Sequence, residues 1–451
     1  MLRLLALQRK IWDPGWQRTL IQGASGALAV QLAGAALGFL THVVLARLLG
    51  QRQYGIYALA LTWTAFLLIP ALLGQSTSVL RFVPAYVQRC EWGKLRALLR
   101  CSNLLVFGAA AAIGFCGATL MWIFRAKFGT EIRLTFLLAF LVLPILAALQ
   151  LSGALHQSLK RPVSAGFFNY ILRPTVLLLV LYVWLEGLRM PATAPLAMAA
   201  TSVGALVALG ASISFLRSAW PQEARNASTS YQVREWLRTG HRLLFVDGIG
   251  LVMNRIDVIL LGSIQGTADL GCYYAAVQIA ALGSFGLNAV NTVLAPMISE
   301  RYAAGDRDGL AAVTTEAARL ILAFSGFVLL GGILFGRMVL GIFGSAFEAA
   351  YGPLLILLGG QFLNAACGPV GFLMSMTRHE VALLRTFGLG AALNVVLSAI
   401  LIRSHGMYGA AIASATGTVA WNIVALFFVR KKLGINPCSL PLLSPCPRRT
   451  F

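Results

Sequence analysis

About a dozen apolar stretches divide this chain, each long enough for the ~20 helical residues that cross a ~30 Å hydrocarbon core, with short links that hold most of the Lys and Arg. The bilayer is therefore the solvent for this sequence, and a soluble enzyme is excluded at the outset. The spans fall at about 23–49, 54–81, 98–124, 134–155, 163–185, 194–216, 243–261, 273–298, 310–335, 352–376, 383–402 and 408–429. They predict an all-α integral membrane protein of about 12 transmembrane helices.

Charge follows the same division. The 451 residues hold 36 Lys plus Arg against 15 Asp plus Glu, a net charge of +21. In a soluble protein that excess would point to nucleic acid, but here the placement of the cations matters more than their sum, and no nucleic-acid partner is expected. Alternate links and both ends carry about 26 basic residues, against about eight on the other set, which the positive-inside rule reads as cytoplasmic against external. Both termini are thus expected in the cytoplasm of a plasma (inner) membrane protein, with the first apolar stretch retained rather than cleaved. No link is long enough for a folded external domain, which argues against a membrane glycosyltransferase, polymerase or ligase.

Motifs for soluble chemistry are weak or missing. The seven Cys show no CxxC or other metal-ligand spacing. There is no GxxxxGK phosphate loop. The GDRDG segment at 305–309 offers an Asp-x-Asp pair with no further ligand and reads as a solvated turn. Asn226 and Ser228 form a glycosylation sequon that would be silent on the cytoplasmic side. Neither a cofactor, a metal nor an enzymatic activity is expected.

The chain also repeats internally. LLGQRQYGIYALA at 48–60 and LLGSIQGTADLGCYYAA at 260–276 each close one helix with Leu-Leu-Gly and open the next with Gly-x-Tyr-x-x-Ala. Half a chain separates them, which predicts an N-terminal six-helix bundle (1–216), a cytoplasmic linker (217–240), a C-terminal six-helix bundle (241–430) and a disordered, Pro-rich cytoplasmic tail (431–451).

Together with STSVLRFVPAY after the second span, APMISERYAAGDRDGL after the eighth and HGMYGAAIASATGTVAWN opening the twelfth, these motifs resemble the polysaccharide biosynthesis family of lipid-linked oligosaccharide flippases, a branch of the MATE-like MOP superfamily. The resemblance covers almost the whole chain in order. It implies a V-shaped pair of bundles around a central cavity that carries an undecaprenyl-pyrophosphate-linked sugar unit from the inner to the outer leaflet, for O-antigen, capsule or exopolysaccharide. It also implies as partners the lipid-linked oligosaccharide, membrane lipids, a coupling ion such as H⁺ or Na⁺, and a glycan polymerase or glycosyltransferase complex. Lipid II flippases usually carry two further helices, so a peptidoglycan-precursor role is disfavoured.

Ionisable residues at membrane depth cost roughly 2.5–3.5 kcal/mol each and are functional candidates by default. The seventh span holds Asp247, Asn254, Arg255 and Asp257. At about 100° per residue, Asp247 and Asn254 share a face, with Asp257 and Arg255 about 80° to either side. So wide a polar sector faces either a cavity, with Arg255 and Asn254 on substrate and Asp247 and Asp257 in coupling, or an interhelical ion pair.

Arg173, about 15 Å into the fifth span with Asn169 one turn earlier, is the foremost phosphate-binding candidate, because a guanidinium fork suits phosphate oxygens. Arg81, at the cytoplasmic end of the second span, either meets the pyrophosphate first or snorkels. Arg47 ends the first span on the outer side and is either a further site candidate or a snorkelling side chain, the second reading being preferred. His42 and His156 are proton-coupling candidates or hydrogen-bonded structural residues, the second reading being preferred.

Gly34-x-x-x-Gly38 and Gly332-x-x-x-Gly336 suit close helix approach, and Pro70, Pro144, Pro174, Pro296 and Pro369 mark kinks or hinges. A cation antiporter of the same architecture would need an anionic, aromatic cavity, which these arginines oppose. A non-transport scaffold of a glycan-assembly complex would need no polar residues at this depth.

Overall fold

The apolar stretches fold as helices in this computed structural model, and the described residues contain no β-strand. The structure describes residues 16–218, 228, 230–284, 290, 294, 297–298, 300–302, 304–377 and 379–437. In hydrocarbon each backbone polar group needs a partner inside the protein, and a helix supplies it locally. Trp16–Leu72 is two helices, α1 (16–49) and α2 (51–72), joined at Gly50, where φ is 70° and ψ is 173°. There follow α3 (Gln75–Gln88), α4 (Trp92–Ile123), α5 (Thr130–Ser158), α6 (Pro162–Gly187), α7 (Ala194–Ser218), α8 (Val233–Ile264), α9 (Thr267–Ala280), α10 (Arg307–Phe343), α11 (Tyr351–Ala366) and α12 (Val370–Met376). Glu380–Leu433 is again two helices, α13 (380–405) and α14 (407–433), broken at Gly406. Among the described residues eight helical elements are long and apolar enough to cross a bilayer, with Trp16–Leu72 and Glu380–Leu433 each counted once. The chain is an all-α, multi-pass membrane protein.

The chain divides into two compact units, Met1–Thr41 with Thr64–Phe245, and His42–Trp63 with Val246–Phe451. This differs from the expected bundles of 1–216 and 241–430 at both boundaries. Residues 42–63 belong to the second unit because their contacts are there: Arg47 Nε donates to the Ile342 carbonyl and Gln51 Nε2 to the Ala346 carbonyl.

The first unit is organised by α5, which packs against α3, α4 and α7. His156 is fully buried on α5, bonded to the hydroxyls of Ser212 and Ser164 at 3.0 Å each. The expected second span is broken. After Pro70 the helix ends at Leu72, Leu73 and Gly74 take φ of 49° and 67°, and Arg81 then lies on the separate helix α3. A glycine at left-handed φ lets the chain turn without a Cβ clash.

The expected linker is not a plain connection. Trp236 is 1% exposed; its indole N–H donates to the Tyr86 hydroxyl, which donates to Gln232 Oε1, and Ser78 Oγ donates to the Trp236 carbonyl. Ser230 N also donates to Gly93 O. The charges of Arg234, Glu235 and Arg238 make this segment look solvated in sequence, while one large aromatic anchors it. Residues 219–227 and 229 of that stretch lie outside the described residues.

In the second unit Gly332 and Gly336 of α10 face Leu358 and Tyr351 of the α11 region, so both glycines of that motif permit close approach. In the first unit only half of the other motif does so. Gly34 lies against Tyr170, whereas a Cβ on Gly38 would meet nothing within 4 Å. The first residues of the segment expected as tail, from 431, are structured. α14 runs to Leu433, Gly434 caps it at φ 69°, and the Arg430 guanidinium donates to Asn436 Oδ1 at 2.7 and 3.0 Å, which ties the chain down as far as Pro437. Residues 438–451 lie outside the described residues.

Candidate functional site

A group of polar and aromatic side chains in the second unit forms where α8, α9 and the 42–63 segment meet. Two glycines open the helices that build it. Gly50 (φ 70°, ψ 173°) and Gly266 (φ 102°, ψ 178°) adopt closely similar non-helical geometry, each five residues before the glycine that begins Gly-x-Tyr-x-x-Ala. The repeat is thus registered on Gly50 with Gly266, and not on the Gly262 that the Leu-Leu-Gly strings would align. Gly262 instead packs against Leu59 and Leu270.

From these turns the helices carry Tyr54, Tyr273 and Tyr274 inward. Tyr54 is fully buried, its hydroxyl 3.2 Å from His42 Nδ1, and its ring meets Tyr274 and Phe347 edge-on at 5.9 Å each. His42 also meets Tyr274 edge-on at 5.6 Å. Arg255 lies with its guanidinium 5.7 Å from the Tyr274 ring centroid, within cation–π range. Its Nη1 is enclosed by protein and has no hydrogen-bond partner. Leaving such a group unpaired costs about 1–3 kcal/mol, and more when it is charged.

Asp257 faces another way. It is 1% exposed, its carboxylate accepts from the Tyr273 hydroxyl and the Val258 amide, and the Ser414 hydroxyl reaches it from α14. Asp257 joins α8 to α9 and α14, and among the described residues Arg255 forms no ion pair with any acid. Asn254 is exposed, with its amide donated to the Gly250 carbonyl of its own helix at 2.7 Å. The Asp247 side chain lies outside the described residues.

The other candidates stand elsewhere. Arg47 is exposed, and it donates to a carbonyl in the last turn of α10, where a cation complements the free carbonyls and the helix dipole. Arg81 is exposed on α3, its guanidinium 5.7 Å from the Phe82 ring. Arg173 and Asn169 lie in the first unit on α6, but not one α-turn apart. Residues Phe167–Leu172 form a π-helical turn, with Arg173 N bonded to Phe168 O. The cause is Pro174, which has no N–H for the i−4 carbonyl and would crowd it in a regular α-helix; widening the turn by one residue removes the conflict. Asn169 lies over Gly153 of α5, and the Arg173 carbonyl faces Gly204 of α7.

Tyr54, Tyr273, Tyr274 and Phe347 were not among the sequence candidates. The tyrosines sit inside or beside the repeated motif, so the signal was present, but a pattern of repetition does not say which rings surround a guanidinium.

A profile of the family described as Polysaccharide biosynthesis protein matches residues 20–301, more than half of the chain. The chain belongs to that family. It is 26% identical over 169 residues to a probable low-salt glycan biosynthesis flippase, Agl15, of Haloferax volcanii. That alignment covers 37% of this chain and 35% of the relative, so the chain spans about a third of the length of the curated relative it matches. Its fold is that of the MOP transporters. An inward-facing MATE-family multidrug resistance transporter superposes with a TM-score of 0.74 at 13% identity, covering 91% of this chain and 98% of the other. The lipid II flippase MurJ, in an inward closed conformation, superposes with a TM-score of 0.69 at 14% identity, covering 90% and 87%.

Proposed function

We propose that this protein carries a phosphate-bearing, lipid-linked glycan unit between the leaflets of the plasma membrane by alternating access, and that Arg255 binds its phosphate. The substrate that fits best is an undecaprenyl-pyrophosphate-linked oligosaccharide for a surface polysaccharide, taken from the cytoplasmic leaflet. Family membership and the likeness to the Haloferax relative, a probable glycan biosynthesis flippase, support the class of substrate. The observation that carries the reading is the enclosed, unpartnered Nη1 of Arg255 beside Tyr274. A phosphate oxygen supplies the acceptor that this nitrogen lacks, and a cationic drug does not, which disfavours the antiporter reading. Moving a pyrophosphate through bare hydrocarbon would require desolvating charged oxygens, so a guanidinium at membrane depth lowers that barrier.

Arg173, Asn169, Arg81 and Asn254 are further substrate contacts in this reading. H⁺ or Na⁺ coupling falls to Asp247 and Asp257, with His42 secondary. Both termini lie in the cytoplasm.

The test is surface-glycan production in a strain lacking its own flippase, with protein abundance measured alongside. Arg255→Ala should abolish production at normal abundance, and Arg255→Lys should restore part of it, because an ammonium keeps the charge but loses the fork. Full production by Arg255→Ala would remove this residue from the mechanism.

A further inference from the structure

A separate groove of about 610 Å³ lies in the first unit among α4, α5 and α7, within the ~300–1,000 Å³ of pockets that hold small ligands. α5 packs along both α4 and α7, which make no comparable contact with each other among the described residues, so the groove runs between them with α5 as its floor. Each helix offers it one stripe: Leu99 and Asn103 from α4, Leu151 and Leu155 from α5, Leu209 and Ile213 from α7. The spacing of four residues places each pair on one helix face.

One end of the groove is cationic. Arg217 closes it, and an adjoining hollow that shares Leu99 and Asn103 is edged by Arg96 and Arg100. Arg100 is exposed. These three belong to the links whose charge the positive-inside rule assigns to the cytoplasm, where the leaflet is rich in anionic lipid. From Leu209 to Arg217 the helix rises about 12 Å, which is close to one leaflet, half of a ~30 Å hydrocarbon core. Leu104 and Phe107 of α4 are 76% and 57% exposed beside the mouth, as side chains in contact with acyl chains would be.

We propose that this groove binds one anionic glycerophospholipid of the surrounding leaflet, its acyl chain between α4 and α7 and its phosphate on Arg100 and Arg217. An apolar trough one leaflet deep excludes a free anion as occupant, since a phosphate alone would fill only the rim. The guanidinium forks at that rim select phosphate with net negative charge over a zwitterionic headgroup.

The purified full chain in detergent should be titrated with phosphatidylglycerol and with phosphatidylcholine, and bound lipid counted by native mass spectrometry. Phosphatidylglycerol should be retained at least tenfold more strongly. Arg100→Ala with Arg217→Ala should bring the two lipids to parity while leaving weak binding. Ala148→Trp, which fills the floor, should remove both, and Ile213→Trp on the opposite wall provides an independent filling variant should the first fail to fold. Equal retention of the two lipids by the unaltered chain, undiminished phosphatidylglycerol in a folded filling variant, or displacement of that lipid by inorganic phosphate would each overturn the assignment. So would its displacement by a polyprenyl diphosphate, which would give the groove to the transported substrate.

Discussion

Gly55 and Gly271 lie backbone to backbone where α2 crosses α9. A Cβ on Gly55 would collide with the Thr267 carbonyl, and a Cβ on Gly271 with the Gln51 carbonyl, each four residues before the opposite glycine. The reciprocity is that of a local two-fold relation between the two copies of the repeat. Without a hydrophobic drive between helices in lipid, such close approach is what holds them.

Gly55→Ala or Gly271→Ala should therefore destabilise the protein by about 1–3 kcal/mol or more, because the colliding atoms are backbone and cannot turn aside. Gly38→Ala, with nothing within 4 Å, should be neutral or stabilising by up to ~1 kcal/mol. Thermal unfolding of the three variants in one detergent makes the comparison.

Trp236→Ala should cost about 3–5 kcal/mol, as for other buried aromatic truncations, although the residue lies in a charged, link-like segment. Tyr86→Phe, which removes only the hydroxyl between Trp236 and Gln232, should cost about 1 kcal/mol. Equal melting temperatures for Trp236→Ala and the unaltered chain would show that the anchor carries no stability.

Tyr273→Phe should lower stability by about 1.5–3 kcal/mol, the range for hydrogen bonds to charged groups, because the Asp257 carboxylate is buried and loses a donor. Arg47→Ala, at an exposed helix end, should cost only about 0.3–1 kcal/mol. Measuring both by the same unfolding assay separates an interior polar contact from a peripheral one.

Asp306 gives a pH dependence outside the membrane. It caps α10, accepting from Gly309 N at 2.8 Å and from Arg301 Nη1 at 2.6 Å. The Gly309 amide foremost, with Arg301 assisting, holds its carboxyl below the usual value of 3.8. A folded pKa below the unfolded one means that the cap is fully present above the ordinary carboxylate range and is lost as pH falls through the depressed value. Amide exchange in the first turn of α10, compared with Asp306→Asn at each pH, should converge between the two proteins only at the acid end.

Capping also explains the Asp-x-Asp string, which the sequence placed in a solvated turn. Other local features were equally legible. Gly50 and Gly266 turn because glycine tolerates positive φ, and Pro174 announced an irregular helix, although not that the irregularity would be a π turn reaching back over Asn169.

What the sequence determined by itself is what depends on neighbours along the chain: apolar length and the self-contained helix ladder settle solvent and secondary structure, and the repeat marks the paired crossing. Tertiary structure alone decided which polar groups meet. Asp257 finds Tyr273 and Ser414, Arg255 is left with a ring and an enclosed nitrogen that has no hydrogen-bond partner, and residues 42–63 join the second unit although they precede most of the first. Apolar helix faces resemble one another in sequence, and in lipid their pairing is set by close packing of small residues, which no one-dimensional pattern encodes.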